Sequence, residues 1–514
     1  MMKDGFLKSV RDRVPGAHRV MRAPRQLIRR SPFKGDITPT RVPIIAPWSG
    51  RPSLPFPHPW NYHEPLRILA TYFWKTDDLP FDGRHNRFID VAPFAPVLVT
   101  RDPQLIRAIS TNSGLKEGHF DRDTMPSAGI ARATGVDSLL YANGDAWKRQ
   151  KKLATPPFAR ATLFQPEHFE DFAKTFRHTA TDRLGVVSER LEPGADALEV
   201  SLEPEIKAVM LEMLVNNFFG AEVPYTEIRE RYVPALERVI DHIVRDTVVN
   251  KLGVPLRLMP GMSDRLQRVR EARDDFERLT DLVIATRHEA RGLWRQFRSD
   301  ATDDALRSNI RVFLAGALEA TTSYASWALS HLARHPEAQA KVYDEVKDIS
   351  VYTPETLATA TYLGHVLNET LRLTPALYFH PRRARDDTWV ETNDERRLYL
   401  PKGTHVLLDI WHANRHDDHW GVDVTGFPAA EFVPERWAPF STGSHGTSEA
   451  LHFGFGHGPR FCPGKSLGQL ETALVVGACV KMFELSALSI ENPPQAAVST
   501  KPLDGVKAMI RMRD

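Results

Sequence analysis

Cysteine is nearly absent: 514 residues carry only two, Cys462 and Cys479. Both belong to one loop-and-helix unit near the C-terminus, so the chain reads as free of disulfides and compatible with a reducing compartment. Long apolar runs are missing too. None approaches the roughly 20 residues needed to cross a bilayer. Neither sign of charge is in excess: 67 Lys and Arg stand against 65 Asp and Glu. A net charge of +2 makes no case for nucleic acid as a partner. No internal repeat and no long low-complexity segment is visible. What the chain does have is length and apolar content, 42% hydrophobic, enough to bury a large core.

The densest local signal runs from Phe453 to Gly464, where four glycines and two prolines surround Cys462. Glycine allows backbone that other residues avoid and lets a flat partner approach closely. Proline fixes its own dihedral. The stretch is therefore a shaped loop. Lys465 to Glu484 follows as an apolar helix, with Leu467, Leu470, Leu474, Val475, Ala478 and Phe483. Cys462 sits just before that helix, where free amides and the helix dipole favour a thiolate over a thiol. A thiolate on a stiff loop is a candidate metal ligand.

Phe455 to Gly464 resembles the haem-binding loop of the cytochrome P-450 family, F-G-x-G-x-R-x-C-x-G, at every fixed position. The resemblance makes Cys462 the proximal ligand of a haem iron, the cofactor being haem b. It implies that Phe455, Gly456, Arg460 and Gly464 belong to the cofactor site. An anionic sulfur would push electron density through the iron and favour O–O cleavage. The family fold is mostly α (α+β), a triangular helical prism with a minor β region.

The rest of the chain is consistent with that fold. Met1 to Lys34 is strongly basic, with ten Lys and Arg against Asp4 and Asp12. It reads as a loosely ordered tail, with a surface helix on anionic lipid or a transit peptide as competing readings. Prolines recur from Pro32 to Pro59 as a linker, so residues 1–60 are a tail and 61–514 a single catalytic domain. Glu64 to Lys75 reads as a first helix. Val97 to Val99 reads as a strand, and Asp102-Pro103 as the cap of a helix over Gln104 to Ser110. Asn112 to Leu139 reads as a long irregular loop. Helices then dominate, over Glu167–Leu191, Glu205–Phe219, Tyr225–Val249, Arg265–Arg298 and one long helix over Ala305–Arg334. Another helix covers Thr361–Leu373. Strands return late, at Trp389–Glu391, Arg397–Leu400, His405–Leu408 and after Leu485. Helices in bulk with a small late sheet match the expected architecture.

Further motifs carry chemistry. Glu369 and Arg372 stand three apart on one helix and can pair. With Arg436 in Pro434-Glu435-Arg436-Trp437 they resemble the family's E-x-x-R and P-E-R-F/W segments. The resemblance implies a charged network that locks the helix to the cysteine loop. Trp147 and Lys151 resemble the family's W-x-x-x-R, with lysine replacing the arginine, so charge is kept and the bidentate fork is lost. By the resemblance Trp147, Lys151, Arg382 and Arg460 face the haem propionates. In the long central helix, Ala315 to Thr322 resembles A/G-G-x-D/E-T-T, in the register that makes Glu319 the acid. Ala320 then occupies the usual threonine. Helical geometry places Thr322 near the face of Glu319 and Thr321 well away from it.

The resemblance implies a monooxygenase that inserts one oxygen atom from O2 into an apolar small molecule. Nothing in the chain looks like a flavin or nucleotide domain, so electrons are expected from a separate ferredoxin/reductase-type donor. The protein is expected to be a monomer, cytoplasmic, with weak peripheral membrane contact and no spanning anchor. Two alternatives stand beside it: a haem-thiolate enzyme that uses peroxide or rearranges its substrate, and a haem-binding sensor or carrier without turnover.

Overall fold

In the computed structural model the described residues are 86–89, 97–115, 117–123, 131, 133–190, 195–249, 263–289, 303–349, 359–391, 397–441, 452–496 and 498–513. The basic tail, the Pro-rich linker and the helix expected over Glu64 to Lys75 lie outside them. So does part of the irregular loop between Asn112 and Leu139.

Helices make up most of the structure. Asp102 accepts from the amides of Gln104 (2.9 Å) and Leu105 (3.3 Å) and opens α1 (Pro103–Thr111), with proline at the first position. Then follow α2 (Gly144–Ala154), α3 (Pro166–Ser188), α4 (Glu203–Glu212), α5 (Val233–Val249) and α6 (Ser263–Ala285). The central helix is not continuous. It runs as α7 (Asp303–Gly316), a π-helical turn (Ala317–Thr321) and α8 (Thr322–Arg334). A π turn inserts extra residues without breaking the helix axis, and such bulges recur at functional sites. Next come α9 (Pro336–Val346), α10 (Thr361–Leu373) and α11 (Lys465–Met482). α11 is buried nearly all round, which explains its unbroken apolar run. It packs against α3, whose Phe169, Phe176 and Leu184 are fully buried.

The strands form a minor region. β1 (Asn86–Ile89), β2 (Val97–Thr100), β8 (His405–Asp409), β5 (Phe379–Ala384) and β3 (Phe120–Arg122) make one sheet in that order. β2 and β8 pair in parallel, Val97 opposite His405. β4 (Leu198–Ser201) pairs with β12 (Lys507–Met512), which pairs with β9 (Phe483–Ala487). Two hairpin pairs complete the set, β6 (Thr388–Glu391) with β7 (Arg397–Leu400), and β10 (Pro494–Ala496) with β11 (Thr500–Pro502). β3, β4 and β5 escape the sequence pattern. β5 reads Phe-His-Pro-Arg-Arg-Ala, with no alternation of apolar and polar residues; it is a strand because β8 and β3 flank it.

The cysteine loop docks on the end of α1. Gly458 has a φ of +70°, and a Cβ there would lie 2.7 Å from the carbonyl oxygen of Ser110. Gly456 has a φ of +81° but more room, its nearest atom 3.6 Å away on His380. Gly458→Ala therefore combines backbone strain with a clash against main chain. It should cost more than Gly456→Ala, whose penalty is the strain alone, about 1–3 kcal/mol. Chemical denaturation of both variants measures the order. An equal loss in the two would contradict this packing.

Candidate active site

Cys462 is held by main chain. Its amide donates to the carbonyl of Phe455 at 2.9 Å, closing the loop, and the Gly468 amide donates to the Gly464 carbonyl at 2.8 Å as α11 begins. Cys462 is partly accessible and lines a cavity of about 740 Å³. Burial pushes its thiol up to about 11, against the Gly464 amide and Lys465, which pull it down. The thiolate expected from the helix N-terminus alone is thus overruled by desolvation. A cation at the sulfur is what would ionise it.

Behind the loop, Glu369 is fully buried. Arg372 donates to it twice, Nε to Oε2 and Nη2 to Oε1, both at 2.8 Å. Arg436 Nε donates to Oε1 at 3.3 Å, Trp437 Nε1 to Oε2 at 2.9 Å, and the Val433 amide to Oε1 at 3.0 Å. The two arginines carry the link onward. Arg372 reaches the carbonyls of Asn414, Ala429 and Glu431, and Arg436 those of Trp420 and Pro428. One carboxylate on α10 thus organises the whole segment from 414 to 437. Burial opposes its ionisation, but the Arg372 hydrogen bonds win and hold its carboxyl below the usual range.

Cations gather at another wall of the cavity. Arg382 is 2% exposed; its Nε donates to Ser113 Oγ and its Nη1 to the Pro381 carbonyl, both at 2.9 Å. Neighbouring Arg383 points out to solvent, as strand alternation requires. Arg460 lies over the Trp147 ring at 4.5 Å. Its Nη2 donates to the Ala142 carbonyl and to Asn143 Oδ1, while Nε and Nη1 are buried with no partner among the described residues. Arg122 lines the same cavity, its Nε without a partner among the described residues. Burial and mutual repulsion push Arg382 well down, and Arg460 down to about 9. Among the described residues none of the three has a carboxylate in ion-pair range. Arg122 carries no sequence signal because it sits in a short strand without a motif. With Trp147, Lys151 also lines the cavity. It is exposed, and its Nζ donates to the Pro459 carbonyl at 3.0 Å, so it clasps the cysteine loop.

A haem fits this donor set. It brings two carboxylates to three guanidiniums that lack them, and a metal to a thiol on a shaped loop.

The central helix contributes a further wall. Gly316, Glu319, Ala320 and Thr321 all line the cavity, and nothing lies within 4 Å of where a Gly316 side chain would begin. Thr322 is fully buried and lies away from the cavity. This reverses the expected preference for Thr322: with Ala320 facing the cavity, Glu319 and Thr321 flank it at about 100° on either side and Thr322 falls on the far side. Thr321 Oγ1 donates to the Ala317 carbonyl at 2.6 Å. Glu319 is 8% exposed, with Ser499 and Lys501 on its two oxygens. Neither partner carries a sequence signal, because each lies far along the chain.

The cytochrome P450 family model matches residues 94–503. The chain is 32% identical over 428 residues to cytochrome P450 monooxygenase FSL4 of Gibberella zeae, covering 76% of this chain and 73% of that protein. It is 26% identical over 402 residues to a cytokinin hydroxylase of Arabidopsis thaliana, covering 73% and 72%. It is 25% identical over 432 residues to a dolabradiene monooxygenase of Zea mays, covering 78% and 79%.

The Glu369 cluster has a pH signature. A carboxyl held below its unfolded value stabilises the fold fully above that value, about 4.3. The contribution fades as pH falls through the lower folded value. Glu369→Gln strands buried guanidinium charge and should cost about 3–5 kcal/mol at neutral pH. The expected product is protein without haem, whose remaining stability lacks this acid-dependent loss. Normal haem content with the parent's acid profile would contradict the assignment.

Proposed function

Because the chain belongs to the cytochrome P450 family and is a haem-thiolate monooxygenase, we propose that Cys462 is its proximal iron ligand and haem b its cofactor. The observation that carries this is one cavity with Cys462 on one wall, Arg122, Arg382 and Arg460 on another with no carboxylate in ion-pair range among the described residues, and Glu319, Ala320 and Thr321 on a third. The bound haem supplies the site at which O2 is activated. Everything else falls to the chain. Arg382 and Arg460, with Arg122, hold the propionates, and Trp147 backs Arg460. Phe455, Gly456 and Gly464 shape the loop around the sulfur. Glu369, Arg372 and Arg436 fix that loop to α10.

Glu319 is the acid that brings protons to the cavity, with Ala320 leaving space beside it and Thr321 the neighbouring hydroxyl. The substrate is an apolar small molecule. Phe158, Leu236, Val239, Val312 and Phe313 support that, because each gives the cavity an apolar surface. The relatives' names, hydroxylase and monooxygenase, support insertion of oxygen as the outcome. Electrons come from a separate ferredoxin/reductase-type protein. We place residues 61–514 in one catalytic domain of a cytoplasmic monomer, with the basic tail in weak peripheral contact with membrane. No helix among the described residues is long and apolar enough to cross one.

The ferrous protein with carbon monoxide should show the red-shifted Soret band of a thiolate complex. Cys462→Ser should lose it, since an alcohol is a poor iron ligand at neutral pH. Cys479→Ser should keep it, because Cys479 is fully buried in α11, outside the cavity lining. Identical behaviour of the two variants would remove Cys462 from its role.

A further inference from the structure

Among the described residues no hydroxyl on the helix that carries Glu319 bonds its carboxylate; the Thr322 hydroxyl is buried without a partner there. Ala320 has no hydroxyl, and Thr321 turns its own back to the Ala317 carbonyl at 2.6 Å. The hydroxyl that does meet Glu319 arrives from the C-terminal hairpin. Ser499 Oγ donates to Oε2 at 2.5 Å, and Lys501 Nζ donates to Oε1 at 3.2 Å. Ser499 is fully buried and Lys501 is 8% exposed, so the lysine has a small opening to solvent.

Both donors are fixed in place by the residue between them. Thr500 Oγ1 accepts from Trp327 Nε1 at 3.1 Å and donates to the Pro375 carbonyl at 3.0 Å. Its carbonyl accepts from Ser323 Oγ at 2.5 Å, and its amide donates to the Ala376 carbonyl at 2.9 Å. In an extended segment alternate side chains share a face, so Ser499 and Lys501 are presented together. Val498, one residue earlier, lines the cavity with Glu319. Structure alone gives no reason for charge here. A buried carboxylate and ammonium gain little over well-packed apolar side chains, and the Thr500 contacts already pin the segment.

We propose that Ser499 and Lys501 are positioning residues for proton delivery: Ser499 supplies the hydroxyl absent at Ala320, and Lys501 connects Glu319 to solvent. The Lys501 ammonium gives a proton to Glu319 Oε1 and regains one from water at the surface, and Glu319 releases that proton into the cavity. Ser499 holds Oε2 so that the carboxylate keeps its station on the wall. The proposal rests on the reading of Glu319 as the proton-delivering acid.

The test uses the haem-loaded protein, an artificial ferredoxin and reductase, and any substrate that shifts the haem spin state on binding. Infrared difference spectra of the resting protein assign the Glu319 carboxylate bands as those missing in Glu319→Gln. Ser499→Ala and Lys501→Met should each move these bands without turnover. Each should lower product per NADPH roughly tenfold, less than the ~10²–10⁴-fold that a positioned acid itself contributes, because each acts through Glu319. Peroxide should make up the difference. Ser499→Thr and Lys501→Arg, which keep the hydroxyl and the charge, should restore coupling; both also serve if the first pair folds poorly. Bands that stay put, or coupling unchanged in Ser499→Ala and Lys501→Met, would overturn the proposal. If Glu319→Gln uncouples while those two do not, the proposal alone fails. If Glu319→Gln itself couples like the parent, the reading of Glu319 fails and takes the proposal with it.

Discussion

Three guanidiniums with no carboxylate in ion-pair range among the described residues, Arg382 buried and Arg122 and Arg460 partly so, are the constraint on which the site depends. Arg122, Arg382 and Arg460 come from β3, β5 and the cysteine loop, and all face one cavity. Like charges at low dielectric repel, and each costs several kcal/mol to bury unpaired. A fold tolerates such a cluster where something else brings the negative charge. A dianionic ligand does so, and its binding then offsets a strain already built into the protein. Asn143 reinforces the arrangement. Its Oδ1 accepts from the Arg122 amide at 2.8 Å and from Arg460 Nη2, so one side chain ties the two cations together.

The opposite strategy holds the segment from 414 to 437 against α10. There every guanidinium nitrogen has a partner, although two arginines share one carboxylate. Glu369 receives Arg372, Arg436 and Trp437, and the arginines receive a ring of carbonyls. This saturated cluster is rigid and its cost is already met within the fold. The cation cluster around Arg460 is unsaturated and waits for a partner. The two differ in chemistry because they serve different ends, one building the wall and the other binding a ligand against it.

Much of this was legible in the sequence, for identifiable reasons. The cysteine loop is visible because positive-φ glycines and prolines leave a dense local pattern. Glu369 and Arg372 are visible because helical spacing pairs them. Asp102-Pro103 marks its helix because capping is local. What was not legible is what the fold brings from afar. Arg122 is in a three-residue strand that exists only because β5 lies beside it. Ser499 and Lys501 reach Glu319 across 180 and 182 positions. The roles of Thr321 and Thr322 depend on which residue faces the cavity: about Ala320, Thr321 flanks the opening and Thr322 falls on the far side. The helix N-terminus at Cys462 favours a thiolate, and burial turned out the larger effect.

Binding of haem to the apoprotein, compared with its dimethyl ester, tests the central claim most directly. The ester keeps the ring and the iron but removes both negative charges. If the unpaired guanidiniums define the site, the ester should bind at least about a hundredfold more weakly, as expected for losing charge-assisted hydrogen bonds to buried cations. Arg460→Met and Arg382→Met should narrow that gap by weakening haem more than ester. Equal affinity for haem and ester in the parent protein would contradict the account.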